Sequence, residues 1–248
     1  MGPLLRFFVD NLPTLRELLT FGPVHGAFAL ASLAGAGWLK RAKGLRTGYS
    51  RKVFHFSIFA GAAFLHWRYG ARPVCLFGAM TTLAIAYAVW RGEGNFLYEA
   101  IAREKDAPHR TLYIVAPYLA TLSGGLASTI WFGPAALVGF LVTGVGDAIA
   151  EPIGTRFGRH SYRVPSMRGV ACTRSIEGSA SVLIASTAVA FAGVQLAYPG
   201  AAHDPIVMLG FAVVIGAAST VCEAISPHGW DNLTLQILPA GMAYAFLN

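Results

Sequence analysis

Eight apolar stretches, each near the length needed to cross a lipid bilayer, constrain this chain more than any other feature. A spanning helix needs about 20 mostly apolar residues, with about 17 at the lower end. Such runs fall at 22–39, 53–67, 73–90, 111–130, 132–154, 178–198, 205–225 and 232–247. The second and the eighth are short, and are expected to be tilted or partly re-entrant. Composition agrees, because 55% of the 248 residues are hydrophobic and only 12% are charged. Soluble domains carry about 25% charged residues, so the polar side chains here are too few to coat a globule. The expected fold is an all-α polytopic integral membrane protein of about seven to eight transmembrane helices. The expected organisation is a single bundle and one domain over residues 1–248.

Residues 1–20 are expected to form an interfacial segment rather than a signal peptide. Asp10, Arg16 and Glu17 interrupt any apolar core, whereas Leu4, Phe8, Leu12, Leu15 and Leu19 recur at helical spacing. Pro13 breaks the middle, which predicts one short helix or two broken turns. The three cysteines, Cys75, Cys172 and Cys222, have neither metal-type spacing nor the even count of a disulfide framework.

Charge orients the bundle. Loop 40–52 carries Lys40, Arg41, Lys43, Arg46, Arg51 and Lys52. Loop 91–110 carries Arg91, Arg103, Lys105 and Arg110, and the loop after the fifth run carries Arg156, Arg159, Arg163, Arg168 and Arg174. These alternate loops hold 15 of the 19 Lys and Arg residues. The positive-inside bias then predicts a cytoplasmic location for them, with the N-terminus outside. The net charge of +7 follows from this bias and from anionic headgroups, so no nucleic-acid partner is expected. Loop 91–110 sets Glu93, Glu99, Glu104 and Asp106 against its basic residues, which predicts a solvated amphipathic helix.

Ionisable residues set against lipid-buried segments mark candidate chemistry. Asp147 and Glu151 stand four apart in GDAIAEPIGTRFGR, which puts both carboxylates on one helix face. A polar helix end is the bland alternative, but a helix C-terminus disfavours acids, and two carboxylates one turn apart repel without a cation between them. Arg156 and Arg159 follow, then Arg174 and Glu177 in TRSIEGS. Arg174 and Glu177 could simply pair with each other. Glu223, Asp231 and Asn232 lie in EAISPHGWDNLT, where Asp231 could instead cap the eighth helix. Arg51, Lys52 and His55 open the second run, where snorkelling basic residues are ordinary. His25, His109, His203 and His228 have no evident partner and are expected in loops or at interfaces. Carboxylates suit Mg²⁺ and guanidinium groups suit phosphate, so region 146–179 is expected to bind a metal–nucleotide on the cytoplasmic side. There is no P-loop, no G-x-G-x-x-G after a strand, no H-E-x-x-H and no G-x-S-x-G. Zinc chemistry and serine hydrolysis are therefore not expected.

Four ordered blocks carry a resemblance: RKVFH at Arg51–His55, GDAIAEPIGTRFG at Gly146–Gly158, RSIEGS at Arg174–Ser179, and EAISPHGWDNLT at Glu223–Thr234. With them the chain resembles the membrane family of dolichol kinase, phytol kinase and related CTP-dependent lipid kinases. That family is more distantly similar to phosphatidate cytidylyltransferase. Two departures stand out: Arg174 occupies a position often lysine in the family, and loop His160–Thr173 is longer than in many members. The resemblance implies phosphoryl transfer from CTP, with Mg²⁺, to an isoprenoid alcohol such as phytol or another prenol.

In that reading Asp147, Glu151, Glu223 and Asp231 hold the metal. Arg51, Lys52, Arg156, Arg159, Arg174, Glu177 and Asn232 line the nucleotide, and Asp147 or Asp231 accepts the hydroxyl proton, with Glu223 and His55 also in the catalytic set. The partners are the lipid alcohol, the nucleoside triphosphate and membrane lipids, and the expected location is the cell (inner) membrane. Two other classes share some of these features. A CDP-lipid-forming cytidylyltransferase would use the same nucleotide and metal, and a transporter of an anionic solute would also bury charges, though no internal repeat is found.

Overall fold

The computed structural model describes residues 2–166, 170–200 and 204–247; Arg168 and His203 of the sequence reading lie outside them. A helix occupies each of the eight apolar stretches. They are α2 (Leu15–Lys43), α3 (Thr47–Tyr69), α4 (Ala71–Arg91), α6 (Leu112–Phe132), an interrupted run from Ala136 to Phe157, α9 (Ile176–Ala197), α10 (Pro205–Ile225) and α11 (Asp231–Leu247). Among the described residues, five helical stretches are long and apolar enough to cross a membrane: Leu15–Lys43, Ala71–Arg91, Leu112–Phe157, Ile176–Ala197 and Pro205–Ile225. Such a set of apolar helices is the make-up of an integral membrane protein. Neither α3 nor α11 belongs to it, and the fourth and fifth predicted runs enter it as one stretch of 46 residues.

Residues 1–20 are divided between two helices. The first helix, α1 (Pro3–Asn11), leaves Leu4, Leu5, Phe8 and Val9 exposed and is tied to α4, where Arg72 Nη2 donates to the Asp10 carbonyl at 2.6 Å. Leu15 and Leu19 instead form the first turns of α2, because Thr14 caps that helix. The Glu17 amide donates to Thr14 Oγ1 at 3.2 Å, and the Thr14 amide donates to Glu17 Oε2 at 2.7 Å. This reciprocal box satisfies two of the orphan amides that a helix start leaves.

The chain divides into two compact units, Met1–Asp106 and Ala107–Asn248. The first is built on α2, α3 and α4, whose buried faces include Leu33, Phe54, Phe59, Leu76, Phe77 and Ile85. Here segment 91–110 differs from the expected solvated helix. Only α5 (Phe96–Ile101) and a 3₁₀ turn at Glu104–Asp106 form, and Tyr98, Ala100, Ile101, Ala102, Arg103 and Asp106 are buried. Arg103 Nε donates to Asp106 Oδ2 at 2.8 Å inside the unit, and Lys40 holds Glu104 at 2.7 Å. Arg103 and Asp106, which looked solvated, are paired with each other, and this makes their burial tolerable. His25 is also placed otherwise than expected, within α2 with its ring edge-on to Phe77.

The second unit closes around Val138, Val142, Ala190, Ala212, Ile215, Leu235 and Ala243. Two features of it depart from the helical expectation. The fifth run is not one helix: a 3₁₀ turn (Gly133–Ala135) leads to α7 (Ala136–Leu141), a π-helical turn (Val142–Asp147) and α8 (Ala148–Phe157). The loop after it contains an antiparallel hairpin of β1 (Ser161–Val164) and β2 (Cys172–Ser175), with Tyr162 opposite Arg174.

Candidate active site

Close packing of small residues brings the second and third sequence blocks together. A Cβ on Gly178 would stand 2.9 Å from the Ala150 carbonyl oxygen, and one on Gly154 would stand 2.8 Å from Ser175 Oγ. Only glycine permits helices to approach this closely. Ser175 starts α9 by accepting the Gly178 amide at 3.1 Å, so the S-I-E-G sequence is a helix cap as well as a contact. The π-helical turn packs on the same helix, where a Cβ on Gly146 would collide with Ser186 Oγ. Single π turns are frequent at functional sites. This one ends on Asp147, which is only 5% exposed.

The fourth block joins through Arg174. Its Nε lies 2.8 Å from Glu223 Oε1, near the end of α10, and its Nη2 lies 2.9 Å from Asp231 Oδ2, at the first residue of α11. Burial works against the Arg174 charge. The carboxylates of Asp231, Glu223 and Asp147, in that order, outweigh it and hold the guanidinium above its ordinary range. Three sequence blocks thus meet at one cation.

Other predicted residues are placed differently. Glu177 does not pair with Arg174; it accepts from the ring of His160 at 2.9 Å. Asn232 donates to Thr121 Oγ1 at 2.8 Å, and Gln236 Nε2 donates to the Thr121 carbonyl at 3.0 Å, so both tie α11 to α6. Asp231 begins its helix, as a cap would, yet its Oδ2 is spent on Arg174. Glu151 lies half-buried on the first turn of α8. Because the helix runs on to Phe157, neither Asp147 nor Glu151 sits at a helix C-terminus, and the dipole argument made from sequence does not apply. Arg156 and Arg159 are exposed, Arg156 over the Phe157 ring at 5.3 Å. Arg51, Lys52 and His55 belong to α3 of the first unit, where Lys52 is buried and His55 packs on Phe59.

Sequence reasoning missed three contributors. Tyr162 bonds Ser179 Oγ at 2.7 Å and fastens the hairpin to α9. Its phenol is held above the usual range by burial first, with the Ser179 bond opposing and the Glu223 carboxylate adding to the rise. His160, just before the same strand, adds a second tie to α9 through Glu177. His228, expected in a loop without a partner, is buried against Tyr113, and its amide donates to the Pro165 carbonyl at 2.8 Å. The available signal was the pair of β-type runs, SYRV and CTRS, separated by Pro165 and Gly169.

Among the described residues, no group of three or more His, Cys, Asp and Glu side chains is arranged to hold a metal ion. The oxygen-only donors nevertheless fit Mg²⁺ arriving with a nucleotide, which is usually bound through one or two carboxylates plus phosphates.

Comparison with known proteins gives one informative likeness. A phytol kinase from a Synechocystis species is 32% identical over 110 residues, which is 44% of this chain and 43% of that protein. The match thus spans under half the length of the relative. No family model and no solved structure matches the chain.

Proposed function

We propose that this protein is a membrane lipid-alcohol kinase that transfers the terminal phosphoryl group of a nucleoside triphosphate, CTP, to an isoprenoid alcohol of the phytol or prenol class. The observation that carries the reading is the convergence of Glu223, Asp231 and Asp147 on Arg174. The likeness to a phytol kinase supports it. Phosphoryl transfer asks a protein mainly for positioning and charge neutralisation. Buried carboxylates beside a guanidinium are suited to that work.

Asp147 and Glu151, with Glu223 or Asp231, would hold Mg²⁺, which when bound supplies positive charge to the phosphate oxygens. Arg174 neutralises phosphate from within the site, and the exposed Arg156 and Arg159 draw the triphosphate toward it. Asp231 or Asp147 accepts the proton of the lipid hydroxyl. The apolar helices keep the rest of the alcohol in lipid. By the positive-inside distribution of Lys and Arg, the site faces the cytoplasm of the cell membrane. Arg51, Lys52 and His55 enter through the sequence resemblance alone.

The test is product identity. Purified protein with labelled CTP, Mg²⁺ and a prenol panel should yield CDP and a lipid monophosphate. Release of pyrophosphate with phosphatidate as acceptor would sink the kinase reading in favour of a cytidylyltransferase. ATP as the sole donor would remove the CTP assignment.

A further inference from the structure

Arg174 lies among carboxylates that come from separate elements of the fold. Carboxylates from two helices bind it directly, Glu223 at 2.8 Å and Asp231 at 2.9 Å, and Asp147 acts on the same charge from the π-helical turn. Acids contributed by three separate elements repel one another unless a cation lies among them. Arg174 supplies that cation with its own side chain.

Its third guanidinium nitrogen adds an independent observation. Nη1 is buried and has no hydrogen-bond acceptor. A buried donor left unmet is unfavourable, and a phosphate oxygen is an acceptor whose geometry a guanidinium fork matches. The backbone beneath Arg174 is secured, since Tyr162, its partner across the hairpin, is bonded to Ser179 on α9. The side chain can therefore change partners while its strand stays in place.

We propose that Arg174 is the resident counter-ion of this site: without substrate it neutralises Glu223 and Asp231, and on arrival of a metal–nucleotide it passes to the phosphates and releases both carboxylates. The proposal rests on the kinase reading and adds an order of events to it. Free divalent cation competes poorly with the built-in guanidinium, so the metal enters with the nucleotide rather than ahead of it.

The test replaces Arg174 by Gln, which keeps hydrogen-bonding capacity and removes the charge. Uptake of Mn²⁺ alone, without nucleotide, is followed by the spin-resonance signal of the free ion. The Arg174→Gln variant should take up one Mn²⁺ at least about tenfold more tightly than the parent protein, as expected when a full positive charge beside the carboxylates is lost. Equal uptake by both proteins overturns the proposal. Should Arg174→Gln prove too unstable to purify, the triple variant Arg174→Gln, Glu223→Gln, Asp231→Asn must recover stability without any metal. A triple variant as unstable as the single one also overturns it. The two readings fail separately: CTP-dependent turnover in the parent without Mn²⁺ capture by Arg174→Gln sinks only the counter-ion role. Capture without turnover of any nucleotide leaves that role standing and removes the kinase.

Discussion

The Arg174 guanidinium and the Glu223 carboxylate meet at 2.8 Å, joining a strand of the only hairpin among the described residues to the end of an apolar helix. Both side chains are nearly buried, at 11% and 4% exposure. Removing one partner of such a pair leaves the other charge uncompensated, which typically costs about 3–5 kcal/mol.

Glu223→Gln should therefore lower the unfolding temperature in detergent, and Arg174→Gln should lower it further, because Asp231 then loses its partner as well. Combining the two should cost less than their sum, with a coupling of about 1 kcal/mol or more, as found for contacting residues. Strictly additive losses would show that the contact contributes nothing to stability.

Asp147→Asn should abolish turnover while the protein remains folded in the membrane. A neutral amide cannot replace the charge of a metal-binding carboxylate, and the expected loss exceeds about 10²-fold, or about 2.7 kcal/mol of barrier. Near-normal turnover in a folded Asp147→Asn protein would remove this residue from the site.

Gly178→Val should push α8 and α9 apart, since even a Cβ at this position would stand 2.9 Å from the Ala150 oxygen. Overpacking of this kind costs about 1–3 kcal/mol. Activity should fall more steeply than stability, because the shift separates Asp147 from Arg174. An equal loss in Ala180→Val, at an exposed position of the same helix, would point to helix propensity instead.

Tyr162→Phe removes one hydrogen bond, to Ser179, and should cost about 0.5–1.5 kcal/mol. The hairpin that carries Arg174 should become more accessible to protease, and the KM for nucleotide should rise while kcat changes little. A fall in kcat at constant KM would assign Tyr162 to the chemical step instead.

Cysteines placed at the exposed positions Arg163 and Pro227, in a background without native cysteines, should label from one side of the membrane, the cytoplasmic one. The two segments meet where the His228 amide donates to the Pro165 carbonyl at 2.8 Å. Labelling from opposite faces would break both the orientation and the shared site.

The amino-acid sequence by itself determined where the helices lie and which blocks carry polar chemistry. Both signals are local: the apolar run at 205–225 became α10 residue for residue, because burial of a continuous apolar segment needs no knowledge of its neighbours. Tertiary structure decided the pairings. Glu177, three residues from Arg174, turned to His160, whereas Glu223 and Asp231, 49 and 57 residues away, took the guanidinium. A side chain's charge partner depends on which backbones can approach, and here glycine contacts between α8 and α9 and the hairpin set that approach. The same reason explains segment 91–110, where Arg103 and Asp106 look solvated in sequence but are buried as a pair in the fold. Periodicity records how a segment meets its solvent, and only the packed chain records which charge meets which.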